Sequence, residues 1–201
     1  MKLIASLLLL VACDCCLGQT DTKLIAAGGW SEAVRDAKCL ASLRGRLLVY
    51  YDEEPSTNNY ARVYLELQHV GPTNAWNLPV AVYYAPCGTD ANLQFEMSGE
   101  DGRRIRRMGG IRWGAGVPPC WVTLPCDATL RLRADLHFRP TPKPSGLEID
   151  ISGGPWVIAP QTTNGFLSGT FTPYCFDHPG LRRGQVWQGS LKLPGVKIAV
   201  N

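Results

Sequence analysis

Cysteines, histidines and a knot of arginines are the residues of this chain with most chemistry in them, and their spacing limits what that chemistry can be. Cys13, Cys15 and Cys16 crowd the start, whereas Cys39, Cys87, Cys120, Cys126 and Cys175 are spread through the body, an odd number that leaves at least one thiol free or bonded to another molecule. In an oxidising compartment Cys87, Cys120, Cys126 and Cys175, each beside a proline or in turn-like sequence, are the candidates for bridges between loops. If the segment between Cys120 and Cys126 is extended, their α-carbons lie roughly 20 Å apart, too far to bridge each other. Zinc would draw on His69, His137 and His178 as further ligands, but no close pair has the spacing of a metal site. The carboxylate pairs Glu53 with Glu54 and Glu100 with Asp101 fall in turn-like sequence and read as solvated loops, the alternative being a glycosidase-type pair, which the fold and not the spacing assembles. There is no nucleophile elbow, zinc-protease helix, phosphate loop or calcium loop, so the sequence names no catalytic, cofactor or metal residue and reads as non-catalytic.

Two surface features remain. Arg103, Arg104, Arg106, Arg107 and Arg112 form the one local concentration of charge, and strand alternation would place Arg104 and Arg106 on one face. That face is either a solvated hairpin or an anion-binding patch for envelope polysaccharide, a membrane surface or an acidic envelope protein. Tyr50, Tyr51, Tyr60, Tyr64, Tyr83 and Tyr84 gather in the first half, and Tyr64 and Tyr83 are candidates for an exposed contact row.

The elements that must position these residues begin after a targeting segment. Met1 and Lys2 lead into an apolar run from Leu3 to Ala12, the layout of a secretory signal peptide and too short for a membrane span, which needs roughly 20 apolar residues. Leu10-Val11-Ala12-Cys13 resembles the bacterial lipobox, which would cut after residue 12 and lipidate Cys13. The competing cut follows Gly18, with Cys16 and Gly18 as its small residues, and releases the chain from Gln19 onward. Either way the protein is expected to be exported, as a periplasmic or extracellular protein or a membrane-anchored lipoprotein, with membrane contact only through that lipid.

The remaining chain of more than about 180 residues is enough for one domain with a real core. A net charge of +3 is too mild to argue for nucleic acid. Gly (21) and Pro (15) fall between apolar runs, as turns joining short strands do. Ser31 can cap a short helix from Glu32 to about Leu43. Beyond it the period is two. Ala61, Val63, Leu65 and Leu67 alternate with Arg62, Tyr64, Glu66 and Gln68, and the same pattern recurs over Leu93 to Ser98, Leu130 to Phe138 and Leu147 to Ile151. Further strands are expected at Arg46 to Tyr51, Pro79 to Tyr84, Trp121 to Leu124, Trp156 to Ile158, Phe166 to Thr172 and Val186 to Val200, the last bulged or at an edge because of Pro194 and Gly195. Leu130 to Phe138 and Leu147 to Ile151 could form a hairpin with arginines facing acids. The expected organisation is residues 19–42 as an N-terminal extension with the short helix, and residues 43–201 as one antiparallel β-sandwich of roughly eight to ten strands, Ig-like before barrel or jelly roll.

In their order, several landmarks resemble an uncharacterised Ig-like module of exported and envelope bacterial proteins. They are Trp30 with Glu32 and Ala33, Leu43-Arg44-Gly45-Arg46-Leu47, Val63-Tyr64-Leu65-Glu66-Leu67 with Val70-Gly71 after it, Trp156-Val157-Ile158, Gly169-Thr170-Phe171, Trp187-Gln188-Gly189 and Leu193-Pro194-Gly195-Val196. The resemblance implies a fold and a compartment and supplies no catalytic residue. The function expected is therefore an exported non-catalytic module with a binding or structural role at the cell envelope; the alternative is an enzyme or protease-inhibitor-like domain whose site is built from loops.

Overall fold

Strand alternation governs the fold. The computed structural model describes residues 22–36, 39, 41–52, 60–71, 80–84, 92–105, 120–139, 148–151, 156–157, 164–173 and 186–199. They form β1 (Thr22–Ala27), β2 (Val34–Arg35), β3 (Ser42–Asp52), β4 (Tyr60–Val70), β5 (Val80–Tyr84), β6 (Leu93–Gly99), β7 (Cys120–Leu124), β8 (Thr129–Arg139), β9 (Glu148–Ile151), β10 (Trp156–Val157), β11 (Asn164–Phe171) and β12 (Leu191–Ala199). Every pairing is antiparallel, and no helix occurs among the described residues.

A seven-stranded sheet runs β1-β3-β4-β8-β9-β10, with β2 also paired to β3. A three-stranded sheet runs β12-β11-β6, and β5 with β7 makes a third. The inward residues of all three meet in one core: Leu43, Leu47, Val63, Leu65 and Leu67 from the first, Leu93, Met97, Leu167, Phe171, Leu191 and Leu193 from the second, Val82 and Leu124 from the third. Full burial of each such side chain stabilises by roughly 1.5–3 kcal/mol. The two larger sheets pack closely at Gly45 of β3, where a Cβ would lie 2.8 Å from Leu193 Cδ2 and 3.3 Å from Leu191 Cδ1. His69 ties the third sheet in, its Nδ1 donating to the Leu124 carbonyl at 3.1 Å.

The helix expected from Glu32 to about Leu43 is replaced by edge-strand structure in the residues described there. Residues 22–35 instead run along β3: β1 pairs with Leu48 to Asp52, Gly28 N donates to Leu47 O, Ser31 N donates to Gly45 O, and β2 pairs with Ser42 and Leu43. Ser31 Oγ does not cap a helix. It accepts from Gly45 N at 3.0 Å and donates to the Glu32 carbonyl. An exposed β3 edge offers a row of backbone partners, and that row outweighs the weak local capping signal. Thr22–Ala27 is consequently part of the sheet.

Pro194 and Gly195 sit where expected, on an edge strand and at a bulge. Leu167 faces Val196 while Gly169 faces Leu193, so β12 carries an extra residue there, and its buried set moves from Leu191 and Leu193 to Val196 and Ile198. The β8–β9 hairpin also forms, with Arg139 opposite Glu148. Its acids are not what Arg131 meets, because Arg131 turns to β4 on the other side.

Gly169 of β11 is a tight crossing. A Cβ there would come within 2.9 Å of the Gln94 carbonyl oxygen, a backbone atom that cannot swing aside. Gly169→Ala is expected to destabilise the protein by about 1–3 kcal/mol through overpacking. The check is a lower urea midpoint at unchanged slope; an unchanged midpoint would show that the two strands separate freely.

Candidate functional site

The described aromatic and charged groups that interlock lie on the face of the seven-stranded sheet turned away from the core. Register places Arg44 opposite Gln68, Arg46 opposite Glu66, Leu48 opposite Tyr64 and Tyr50 opposite Arg62 across β3 and β4. Across β4 and β8 it places Glu66 opposite Arg131 and Tyr64 opposite Arg133. Because side chains alternate, these even-numbered β3 and β4 residues share one face with Arg131 and Arg133.

Glu66 is the centre of that face. Its side chain is only 5% exposed, although alternation puts it on the solvent side. Arg46 Nε donates to one carboxylate oxygen at 2.6 Å and Arg131 Nη2 to the other at 3.0 Å. One negative charge thus holds two positive ones. The hydrogen bond to Glu66 keeps the Arg131 guanidinium above its ordinary value, with the Tyr50 hydroxyl adding to the effect. Arg131 also lies 5.2 Å from the Tyr50 ring centroid, and Tyr50 meets Tyr64 edge to face at 5.2 Å.

Trp30 closes the other end. The edge segment between β1 and β2 carries its indole to the guanidiniums of Arg44 (4.8 Å) and Arg46 (4.4 Å). Arg44 Nε donates to Gln68 Oε1 at 2.8 Å. Leu48 is buried on this face and lies outside the main core cluster. The result is a set of guanidinium planes held by aromatic rings, one amide and one carboxylate, with an excess of positive charge.

The residues singled out from sequence fare differently. Tyr64 belongs to this face. Tyr83 lies in β5, in a different sheet, and its side chain is not among those described. Arg104 pairs with Glu96 at 3.1 Å and Arg103 with Asp101 at 3.5 Å, both pairs well exposed, so these two arginines meet separate acids and make no shared site. Arg106, Arg107, Arg112, Cys13, Cys87 and Cys175 lie outside the described residues. Cys126 and Cys39 are free thiols in the structure, and Cys87 and Cys175, two of the possible partners of Cys126, are among the residues outside those described. The Cys126 sulfur packs against Gly71, which leaves no room for a Cβ there. Burial pushes the Cys39 thiol up, away from the reactive thiolate. Cys120 is placed in β7 by its backbone alone. Among the described residues no cluster of three His, Cys, Asp or Glu is arranged to hold a metal ion.

Trp30, Arg44, Arg46, Glu66 and Arg131 were not singled out from sequence as site residues. Alternation marks Glu66 and Arg131 as wet, and nothing in the spacing of Trp30 says that it returns over β3. The one available signal was the pair of arginines flanking Gly45. Comparison with protein-family models, with curated proteins and with solved structures finds no match.

Proposed function

We propose that this chain is an exported, non-catalytic Ig-like β-sandwich that works at the cell envelope by binding an anionic partner on the outer face of β3, β4 and β8. The observation that carries the reading is the Arg46–Glu66–Arg131 clasp. A carboxylate buried on the solvent side fixes two guanidiniums, while Arg44 beside it meets, among the described residues, an amide and an indole. Fixed guanidiniums lose little freedom on meeting an anion, which favours binding. Two packed antiparallel sheets and the order of the sequence landmarks support the Ig-like assignment; the leader ahead of β1 supports export.

The mature chain is expected to be retained on an anionic matrix such as dextran sulfate at about 50 mM salt and released by about 500 mM, because contacts between partly exposed charges are screened. Arg44→Gln combined with Arg131→Gln should shorten retention markedly, whereas Arg104→Ser should leave it unchanged. Retention that ignores salt, or that follows Arg104 and not the β3–β8 face, would remove the proposal.

A further inference from the structure

We infer that Arg44, with Gln68 and Trp30, is a subsite for the carboxylate of an acidic polysaccharide laid along β4; this rests on the reading of the β3–β4–β8 face as a binding surface. Arg44 is set apart from its neighbours by its partners. Arg46 and Arg131 share the Glu66 carboxylate, but Arg44 donates Nε to the neutral Gln68 amide and otherwise touches the Trp30 ring. Its charge therefore meets no carboxylate among the described residues. With Nε occupied, the two terminal nitrogens remain as a planar fork, the geometry that matches a carboxylate with two parallel hydrogen bonds. The Gln68 amide, whose oxygen accepts from Arg44, keeps its NH2 as a donor beside that fork, suited to a hydroxyl or the second carboxylate oxygen.

The rest of the face selects the kind of polymer. Positive charge runs along it: Arg44 stands at one end, the Arg46–Glu66–Arg131 row carries a net one more, and Arg133 and Arg62 share the face opposite Tyr64 and Tyr50. Such a run suits an anionic polymer lying along the strand. Four residues along β4 from Gln68, about 13 Å at the rise of an extended strand, Tyr64 stands edge to face with Tyr50. A chain anchored at Arg44 and lying along the strand reaches that aromatic pair, whose rings offer a hydrophobic surface for the C–H faces of sugars and a hydroxyl at each tip.

The test is titration of the mature protein with polygalacturonate, dextran sulfate, neutral dextran and phosphatidylglycerol vesicles, using Arg44→Gln and Arg44→Lys. Polygalacturonate should bind and neutral dextran should not. Both substitutions should weaken polygalacturonate binding about tenfold, since lysine keeps the charge but loses the planar fork, while the unfolding midpoint stays in place. Wild-type affinity in the Lys variant would show that charge alone suffices and would overturn the fork. Preference for dextran sulfate, or for the vesicles, would overturn the carboxylate-sugar assignment while leaving an anion-binding face standing. Binding to none of the anionic probes would overturn both.

Discussion

Trp187→Ala is expected to cost about 3–5 kcal/mol of folding stability, the range for removing a large aromatic from a packed core. The indole is fully buried, and Gly189 lies so close to its six-membered ring that a Cβ there would collide. Its Nε1 donates to the Val34 carbonyl at 3.2 Å, and the next residue, Gln188, donates its backbone N–H to the Asp36 carboxylate. The substitution therefore opens a cavity and also releases the β2 segment from the end of the chain. Trp187→Phe separates the two effects. It keeps most of the volume and leaves the Val34 carbonyl short of its donor, so about 1–2 kcal/mol should be lost. Urea unfolding measures both, and hydrogen exchange at the amides where β2 pairs with β3 should speed up in both variants. A loss below about 1 kcal/mol for the alanine variant would show that the site collapses around the gap.

Glu66→Ala should be the next most damaging change, at about 2 kcal/mol. Removing one member of a fully buried ion pair costs roughly 3–5 kcal/mol, but Arg46 and Arg131 are 30% and 47% exposed, so water recovers part of it. What is left is two guanidiniums facing one another with no anion between them. That repulsion is screened by salt, which gives a distinctive sign: the deficit of Glu66→Ala relative to wild type should shrink as salt rises. Glu66→Gln, which keeps an acceptor oxygen and the shape, should lose about 1 kcal/mol. Urea midpoints at low and high salt decide the matter; a deficit that grows with salt would mean that the clasp is not electrostatic.

How far the sequence reveals all this depends on how local each cause is. The alternation over β4, β6, β8 and β9 is local, and each of the ten strand segments expected from the sequence has a strand in the structure. β1 escaped because Lys23-Leu24-Ile25-Ala26 has no period of two; Leu24 faces Tyr50 and Ala26 faces Val49, so Ile25 is the extra residue of a bulge. The Ser31 signal misled because its oxygen serves Gly45, fourteen positions away, instead of a neighbouring turn. Glu66 looked solvated for a similar reason. Its partners lie 20 and 65 positions away, and only pairing across three strands brings them together. The positive excess on β3 was visible as composition, but its fixing by Trp30 and Gln68 is a property of the assembled sheet.

The contact between Trp187 and Val34 joins residues 153 positions apart. β4 likewise finds β8 across about 60 residues, and β6 finds β11 across a similar interval. Long loops must close before such pairings repay their entropy, so β3 and β4 can meet early while the core waits for the last strands. During synthesis the chain therefore emerges largely open, with its apolar strand faces uncovered until the last strands arrive. An open chain is also the form that can be threaded through a membrane, and so late closure of the β2–Trp187 latch and the proposed export make the same demand on timing.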